Sequence, residues 1–314
     1  LFRSFTLSNK LSGYLDLQGR FVGYQTKGIT SDIEAIDVDA SFDFFNPKFG
    51  FTYTVNDRNK LYTSFAVANR EPNRNDFESG IDTPETLHDF ELGWRLKNEN
   101  IKLNTNIYYM DYKNQLVLTG AIDDVGAPIR ATSGSSYRLG LEIDADIRLS
   151  DALTIRPNAA FSSNKNNAFF INRDGEESPV ALGDTHLSFS PNVVIGNVFT
   201  YAPEENLQIS LLSKYVGKQY MSNFSSAIST NDVLKSFFTS DINLVYALRA
   251  TSVFKSVVFS ALINNIFNKE YLDRGYYYTY EDDWSSPGEI TTVDGAGYYP
   301  QATRNFLIGV TLTF

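Results

Sequence analysis

Strict alternation of apolar and polar residues over long stretches is the feature that most limits what this chain can fold into. Every second residue is apolar in residues 89–96, 138–149 and 305–314. Such alternation predicts a strand with one apolar and one polar face. Soluble strands average roughly 5–6 residues, whereas a tilted strand that crosses a bilayer needs about 9–11. The length of these runs favours strands that cross a membrane.

The same periodicity predicts an all-β fold, an antiparallel transmembrane β-barrel with 13 strands in this chain of 314 residues. We expect both faces of every strand to be occupied, one by lipid and the other by a water-filled interior. The strands are predicted near residues 1–8, 13–24, 40–55, 60–68, 87–97, 101–119, 132–149, 153–163, 188–202, 207–216, 236–248, 257–267 and 302–314.

The connections between these strands fall into two classes that alternate along the chain. Short polar turns are predicted at 56–59, 97–100, 150–152 and 203–206. Short periplasmic turns and long outer loops are typical of outer-membrane barrels, whereas a soluble sandwich has no reason to keep its long loops at one end. The long connections are predicted near 25–39, 69–86, 120–131, 164–187, 217–235 and 268–301.

Aromatic residues recur near the ends of the predicted strands, on their apolar rows. On the returning strands they follow the first apolar residue by eight positions, a rise of roughly 20 Å at a tilt of about 40°. This is close to the apolar band of about 25 Å, so we expect two aromatic girdles at the lipid interfaces. Packing in an ordinary sheet core is the alternative. The predicted girdle residues are Tyr53, Trp94, Tyr201, Tyr246 and Phe314 on one side and Tyr109, Phe161 and Tyr215 on the other.

The polar rows of the same strands predict the wall of a hydrated lumen. A charged side chain facing lipid near the midplane costs roughly 2–4 kcal/mol for Arg or Lys, so these rows must face inward. Each member either contacts a ligand or forms part of a solvated wall. The predicted lumen residues are Asp89, Glu91, Arg95, Lys102, Asn104, Asn106, Glu142, Asp144, Asp146, Asp241 and Asn243.

Composition excludes several other classes of protein. The longest apolar run has five residues, from Leu244 to Leu248, and a membrane helix needs roughly 20. The chain has no cysteine, which removes a disulfide framework and thiolate metal sites. Its net charge of −10 argues against nucleic acid as a partner. We expect no metal and no cofactor.

The number of strands predicts that the barrel is incomplete in this chain. Bacterial single-chain barrels have even numbers of strands, and an open sheet leaves edges that lipid cannot satisfy. We therefore expect residues 1–314 to form one domain, the carboxy-terminal part of a larger barrel, with nine strands or another odd number lying upstream.

Several segments resemble TonB-dependent outer-membrane receptors. Residues 60–72, LYTSFAVANREP preceded by Lys60, look like the family's rising strand and its Arg/Pro loop, and TPETLHDFELG at 83–93 looks like the strand that follows. Residues 107–112 and 137–142 are similar to the next two strands. NNIFNKEY at 264–271 resembles the penultimate strand, and the terminal Phe314 resembles the signal read by the barrel-assembly machinery. The sequence of residues 70–77 resembles that of receptors of the Bacteroidetes group.

The resemblance implies a 22-stranded barrel in the outer membrane of a Gram-negative bacterium, among its lipid and lipopolysaccharide. It also implies an amino-terminal plug domain, which is missing here, energised by the TonB-ExbB-ExbD complex, and a surface lipoprotein as a further partner. The implied function is active uptake of a scarce, large nutrient. A ferric siderophore is the first expectation, with cobalamin or haem as alternatives.

Two loops hold the predicted ligand residues. Guanidinium groups at 70 and 74 could take the carboxylates or phosphates of a ligand, or they could tie the loop down. Tyrosine clusters suit flat or amphipathic ligands, and loop packing is the alternative. The predicted ligand residues are Arg70, Asn73, Arg74 and Asp76 in the first loop and Tyr276, Tyr277, Tyr278, Tyr280, Trp284, Tyr298 and Tyr299 in the second.

Other functions have less support from the sequence. Neither GxSxG nor HExxH is present, and the two histidines, His88 and His186, lie far apart, so we expect no enzyme. Residues 281–283 are acidic but lack the spacing of a calcium loop. A soluble multi-domain glycan-binding protein, and a barrel for secretion or adhesion, remain as alternative classes.

Overall fold

A computed structural model describes residues 1–30, 33–122, 128–132, 134–171, 180–249, 254–286 and 288–314. Thirteen strands form one continuous antiparallel wall in which chain neighbours pair. The strands of the wall are β1 (Phe2–Thr6), β2 (Leu11–Ile29), β3 (Ala35–Asn56), β4 (Asn59–Arg70), β5 (Glu85–Lys97), β6 (Ile101–Lys113), β9 (Ser135–Arg148), β10 (Leu153–Ile171), β12 (Val193–Glu204), β13 (Leu207–Val216), β16 (Phe237–Arg249), β17 (Ser256–Asn264) and β20 (Asn305–Thr313).

The remaining elements lie in the long connections. β11 (Val180–His186) pairs with the end of β10, and one short helix, α1 (Arg74–Glu78), follows β4. Among the described residues, no helix is long and apolar enough to cross a membrane. The other elements are β7 (Leu116–Ile122), β8 (Pro128–Thr132), β14 (Gln219–Tyr220), a 3₁₀ turn at Thr230–Asp232, β15 (Val233–Leu234), β18 (Leu272–Asp282) and β19 (Thr291–Pro300).

The all-β fold and the order of the thirteen strands are confirmed. Within the described part, β1 and β20 are the two edges of the sheet. Several predicted bounds are wrong. The strand predicted at 101–119 ends at Lys113, where Asn114 adopts φ 54°, and residues 116–122 join a different sheet. The strand predicted to begin at 188 begins at Val193.

The connection predicted at 25–39 is mostly strand. β2 and β3 run past their neighbours and pair with each other as far as Ile29 and Ala35. The predicted loops at 120–131 and 164–187 also contain strand, and residues 123–127 and 172–179 within them lie outside the described part of the chain.

The wall has an apolar face and a polar face in register across its strands. Directly opposed residues of an antiparallel pair share a face. One such row crosses four adjacent strands: Leu61 opposes Trp94, Trp94 opposes Thr105, and Thr105 opposes Ile143. The apolar face, called the outer face below, is open: Phe90 is 49% and Leu92 55% exposed. An apolar surface this extended exceeds what soluble monomers expose.

The polar face, called the inner face below, contains pairs of a tyrosine and a glycine on adjacent strands. Tyr14 opposes Gly50, and Tyr108 opposes Gly140. A Cβ built on Gly50 would lie 2.6 Å from the Tyr14 ring, and one on Gly140 2.5 Å from the Tyr108 ring. Each glycine thus provides the space that lets a large ring lie flat on the wall. A third pair joins Tyr62 and Gly93.

Long connections fold over the inner face and form a cap. The cap consists of a four-stranded sheet in the order β19-β18-β7-β8 and the segment Gln219–Leu234, which carries β14 and β15. Its apolar core includes Phe224 and Leu234 of this segment and Phe169 near the end of β10, each at most 2% exposed. The long outer connections are therefore folded structure with a core of their own.

Candidate ligand-binding mouth

The arginine-containing loop after β4 is held together by a helix cap. The Asn73 side chain accepts hydrogen bonds from the backbone N–H groups of Asn75 and Asp76, and Asp76 Oδ2 accepts one from Asn73 N at 2.9 Å. This is a capping box, which satisfies backbone donors at the start of α1. Two of the four predicted ligand residues, Asn73 and Asp76, are thus engaged in shaping the loop.

Both predicted arginines of this loop have carboxylate partners. Arg74 Nε donates to Glu78 Oε1 at 2.7 Å, four residues on, and Arg70 Nη2 lies 3.4 Å from Glu85 Oε2. Arg74 is more than half exposed, so its outer guanidinium edge remains open to solvent. A ligand role for these residues stays a prediction.

Arg20 is a further residue of this region that the sequence reasoning missed. Its guanidinium forms an ion pair with Glu71, donates to Asn69 O at 3.3 Å and lies 5.1 Å from the centre of the Phe44 ring. Tyr24 stacks on Phe77 of α1 at 5.1 Å. The arginine loop is therefore fixed to the extended β2–β3 ribbon.

The second predicted ligand region is the β18–β19 hairpin, and its aromatic residues divide between two faces. Tyr276, Tyr278 and Tyr280 occupy one face because they alternate along β18. Ring contacts extend this row: Tyr276 to Tyr278 at 6.3 Å, Tyr276 to Tyr299 at 6.2 Å, and Tyr280 to Trp284 at 5.8 Å with planes 5° apart. These five residues are called the aromatic row below.

The opposite face of the hairpin is buried in the cap. Tyr277 packs edge-on against Phe224 at 6.2 Å, and Tyr298 donates from its hydroxyl to Asn231 O at 2.7 Å. Burial raises the pKa of Tyr277 to about 12. Asp294 on this face accepts from Ser229 Oγ at 2.6 Å. Tyr277 and Tyr298 therefore connect the hairpin to the cap segment.

The aromatic row lies on the side of the hairpin away from segment 219–234. This segment contacts the end of β10, because Asn223 in it receives a hydrogen bond from Asn166. Tyr277 packs against Phe224 of the segment, and the row lies on the other side of β18. Tyr276 and Tyr299 are each 52% exposed there. The row is an open aromatic surface at the end with the long connections.

A cavity of about 620 Å³ opens beside the hairpin. Tyr298 is the one predicted ligand residue in its lining. Tyr271, stacked on Phe237 at 4.4 Å, forms an aromatic wall, and Lys235 and Lys269 supply positive charge. No local sequence pattern predicts this cavity, because its walls come from residues 230–236, 269–272 and 298, which are more than twenty residues apart along the chain.

The predicted lumen residues lie on the inner face. Asn104 opposes Asp144, and Asn106 opposes Glu142. A recess of about 450 Å³ is lined by these four side chains together with Glu91 and Tyr62.

Hydrogen bonds order this recess. The Tyr62 hydroxyl donates to Asn106 Oδ1 at 3.1 Å, Asn106 Nδ2 donates to Glu91 Oε1 at 3.4 Å, and Arg95 lies 4.4 Å above the Tyr62 ring. The arrangement presents carboxylates and amides to the interior, which is suited to hydrated solutes and to polar partners.

The other predicted lumen residues share this face. Asp146 lies 3.4 Å from Arg156 Nε, and Asp241 Oδ1 accepts from Asn265 N at 2.7 Å. Asn243 opposes Ser210, and Lys102 opposes Asp146. Asp89, on the same row as Glu91, opposes Met110.

The predicted girdle residues lie on the outer face. Tyr53 opposes Leu61, which opposes Trp94, and Trp94 Nε1 donates to Asn59 Oδ1 at 3.0 Å. At the other end Tyr109 opposes Phe90. The other members are Phe161 opposite Leu141, Tyr201 opposite Ile209, Tyr215 opposite Phe238, Tyr246 opposite Phe259, and Phe314 beside Phe254 at 5.1 Å.

The two histidines have different surroundings. His88 is on the outer face, stacked on Phe65 at 6.3 Å with Nδ1 3.7 Å from Asp111 Oδ2. His186 stacks on Tyr220 at 5.0 Å, and burial, with Lys165 and Lys218 nearby, lowers its pKa. His88 therefore does not face the interior.

The acidic run 281–283 is engaged within the hairpin. Asp282 Oδ1 accepts from Ser285 N at 2.9 Å, and Glu281 accepts from Thr292 Oγ1 at 3.0 Å. Hydrogen bonds from the side chain and then the backbone N–H of Ser285 lower the pKa of Asp282. Within the described ranges no group of three or more acidic or histidine side chains could hold a metal ion.

The fold and the site together define a class of protein. An antiparallel wall with an open apolar outer face, a polar inner face and a cap at one end is the architecture of an outer-membrane β-barrel receptor. Residues 4–266 match the model of the family described as TonB dependent receptor-like, beta-barrel. The chain belongs to this family, whose members are transport receptors of the Gram-negative outer membrane.

Solved structures share this fold at low sequence identity. The ferric-catecholate import receptor Fiu from E. coli K12, in its closed form, superposes with a TM-score of 0.70 at 16% identity over 100% of this chain and 44% of its own. The siderophore receptor PiuA from Acinetobacter baumannii has a TM-score of 0.71 at 17% identity over 97% of this chain and 41% of its own.

A third structure, the copper transporter OprC, has a TM-score of 0.69 at 16% identity over 99% of this chain and 47% of its own. The chain thus spans less than half the length of these relatives. No curated protein matches the sequence.

Proposed function

We propose that the full-length protein takes up a ferric siderophore across the outer membrane, driven by the TonB-ExbB-ExbD complex. Residues 1–314 would be the carboxy-terminal part of its barrel, and an amino-terminal plug and nine further strands would complete it. Barrel insertion would depend on the barrel-assembly machinery, and a surface lipoprotein could cover the mouth. Similarity to structures described as a ferric-catecholate import receptor and a siderophore receptor supports this proposal.

The aromatic row is the observation that carries the proposal. Three of its rings, those of Tyr276, Trp284 and Tyr299, are exposed, and the row lies at the end with the long connections. Aromatic surfaces bind flat, amphipathic ligands at a low entropy cost, since tyrosine and tryptophan have few rotatable bonds. The polar inner face below the row would provide the route.

The chain contains two tryptophans, which allows a direct binding experiment. Trp284 is in the aromatic row and Trp94 on the outer face. In the full-length receptor, a bound ferric siderophore should quench the emission of Trp284. Trp284→Phe should remove that component, and Trp94→Phe, the matched control, should keep it. Tyr276→Ala should raise the Kd roughly tenfold.

Growth assays decide the nature of the cargo. A strain lacking the receptor should lose growth on one ferric siderophore as the iron source and regain it with the full-length gene. If the gene restores growth only when cobalamin, haem or a copper complex is the nutrient supplied, the siderophore proposal is rejected. Quenching that persists unchanged in Trp284→Phe would reject the aromatic row as the binding surface.

A further inference from the structure

The cavity of about 620 Å³ beside the β18–β19 hairpin is not used by the proposed uptake function. It is called the cap cavity below. Its lining comes from residues 230–236 of the cap, residues 269–272 after β17 and Tyr298 of β19. Tyr298 opposes Gly275 and shares a face of the hairpin with Tyr277, so the hairpin separates the cap cavity from the aromatic row. The volume is in the range of sites that hold a small organic molecule.

The cap side of the cavity is held in place by hydrogen bonds of its own. Asp232, which is 0% exposed, accepts from Ser222 Oγ at 2.7 Å and from Ser226 Oγ at 2.8 Å. Tyr298 donates from its hydroxyl to Asn231 O at 2.7 Å, which fixes its ring against the 3₁₀ turn. This side of the cavity therefore keeps its shape without a ligand.

The opposite side of the cavity is fixed to the wall. Asn265, which is 4% exposed, donates from Nδ2 to Lys269 O at 2.8 Å and accepts at Oδ1 from Lys269 N at 2.9 Å. Gln301 N donates to Tyr271 O at 3.1 Å, and the Tyr271 ring stacks on Phe237 of β16 at 4.4 Å. Since both sides are formed in advance, binding costs a ligand less ordering entropy.

The apolar part of the lining suits an aromatic ring. Phe237 covers one side of the Tyr271 ring, with the two planes 29° apart, and Tyr271 also lines the cavity. Tyr298 contributes a second ring, and Val233 and Leu272 add aliphatic surface. Aromatic rings pack on such surfaces in offset or edge-on contacts. The cavity therefore offers room and partners for one or two rings of a ligand.

Two lysines give the lining an excess of positive charge. Lys235 and Lys269 are exposed, and neither forms an ion pair with a described residue. Among the described residues Glu270 is the one acidic side chain in the lining. Asp273, further along the chain, is paired with Arg274 at 3.3 Å. The local charge therefore favours an anion over a neutral or cationic ligand.

We propose that the cap cavity binds a small aromatic acid, a ligand with one or two aromatic rings and a carboxylate. The rings pack against Tyr271 and Tyr298, and Lys235 and Lys269 neutralise the carboxylate. Because the lining comes from both the cap and the wall, the bound acid holds these two parts together. This site goes beyond the proposed uptake function and is independent of the cargo.

Isothermal titration calorimetry of the full-length receptor in detergent tests the site. The probes are 2-naphthoate and the uncharged 2-naphthamide, and the receptor should bind the naphthoate more tightly. Lys235→Gln and Lys269→Gln should each weaken naphthoate binding roughly fivefold and leave naphthamide binding unchanged, whereas Tyr271→Leu should weaken both. Lys27→Gln removes an exposed lysine of the β2–β3 ribbon and is the matched control, which should bind as wild type.

Protection of the cap from proteolysis shows where the acid binds. Naphthoate should slow the cleavage of segment 219–234 by proteinase K in the wild type, because a ligand that contacts cap and wall stabilises the closed arrangement. At the same concentration it should give less protection in Tyr271→Leu, whose affinity is lower. Equal protection in the two proteins would place the acid elsewhere.

The calorimetry can overturn the proposal in three ways. Equal affinity of the wild type for naphthoate and naphthamide would remove the role of the carboxylate. An unchanged affinity in both Lys235→Gln and Lys269→Gln, or an equal loss in Lys27→Gln, would remove the role of the two lysines. Displacement of naphthoate by the ferric siderophore would assign the cavity to the cargo.

The uptake function is tested separately on the same samples. Siderophore quenching of Trp284 should be unchanged in Lys235→Gln, since the aromatic row lies on the other face of the hairpin. Loss of naphthoate binding with normal quenching, or the reverse, distinguishes the two sites.

Discussion

Asn223 of the cap and Asn166 of the wall are joined by a hydrogen bond from Asn166 Nδ2 to Asn223 Oδ1 at 3.4 Å, and both side chains are almost completely buried. Asn223 also accepts from Ser188 N at 3.0 Å and donates to Leu118 O at 2.8 Å. One carboxamide thus connects the cap segment to three other segments of the mouth.

Asn223→Ala should release the cap from the wall. Partners left unsatisfied in a buried site cost about 1–3 kcal/mol, so segment 219–234 should become sensitive to limited proteolysis while the wall stays intact. The exposed Asn100 in a short turn provides the control, Asn100→Ala. Equal protease resistance in Asn223→Ala and wild type would show that the cap is held by other contacts.

Gly93→Ala should impair assembly of the wall, because its Cβ would overlap the Tyr62 ring on the adjacent strand. Nothing lies within 4 Å of a Cβ on Gly23, so Gly23→Ala is the matched control. The heat-modifiable gel shift of folded receptor measures assembly. The double variant Tyr62→Ala, Gly93→Ala should recover part of the assembly lost in Gly93→Ala. Equal loss of assembly in the single and the double variant would contradict the packing of Tyr62 over Gly93.

Arginine should be tolerated on one side of β5 and harmful on the other. Leu92→Arg places a charge in the apolar band at a cost of roughly 2–4 kcal/mol, and Glu91→Arg, one residue away, faces the interior. The amount of folded receptor in isolated outer membranes measures the difference. The prediction is wrong if Glu91→Arg reduces that amount more than Leu92→Arg does.

Tyr277 should remain protonated well above the ordinary tyrosine pKa near 10, because burial raises its pKa to about 12. Its stabilising effect on the cap is complete below pH 10 and is lost as the pH rises from about 10 to about 12. The difference in tyrosinate absorbance between wild type and Tyr277→Phe should show one group titrating near the upper value. In denaturant its midpoint should return to about 10; a midpoint near 10 in the folded protein contradicts the burial.

The wall could be predicted from the sequence because lipid on one face and water on the other impose a strict alternation of apolar and polar residues. Trp94 and Glu91 fall on opposite faces by parity alone. Beyond the membrane the polarity of the two faces is reversed: the apolar Ile36, on the inner side of β3, is buried, and the charged Asp37, on the outward side, is exposed. The alternation continues there with inverted polarity, so the rule for membrane-crossing strands does not predict the strand at 25–39.

The mouth was predictable only in part. The spacing of Asn73 and Asp76 is that of a capping box, so a local rule could have assigned both residues to the structure of the loop. Alternation along a hairpin would also have separated Tyr277 from Tyr276. The contact of Thr279 with Ala121 joins segments more than 150 residues apart, and no local pattern indicates such a pairing.

The central claim is that the outer face of the wall contacts lipid and the inner face contacts water. The accessibility of spin labels on the two faces tests it most directly. The chain has no cysteine, so Leu92→Cys and Glu91→Cys can each carry one label in the full-length receptor, provided that any upstream cysteines are replaced. In bilayers, the label at Leu92→Cys should collide with oxygen and the one at Glu91→Cys with a water-soluble nickel complex. The opposite accessibilities, or two water-accessible labels, would contradict the account.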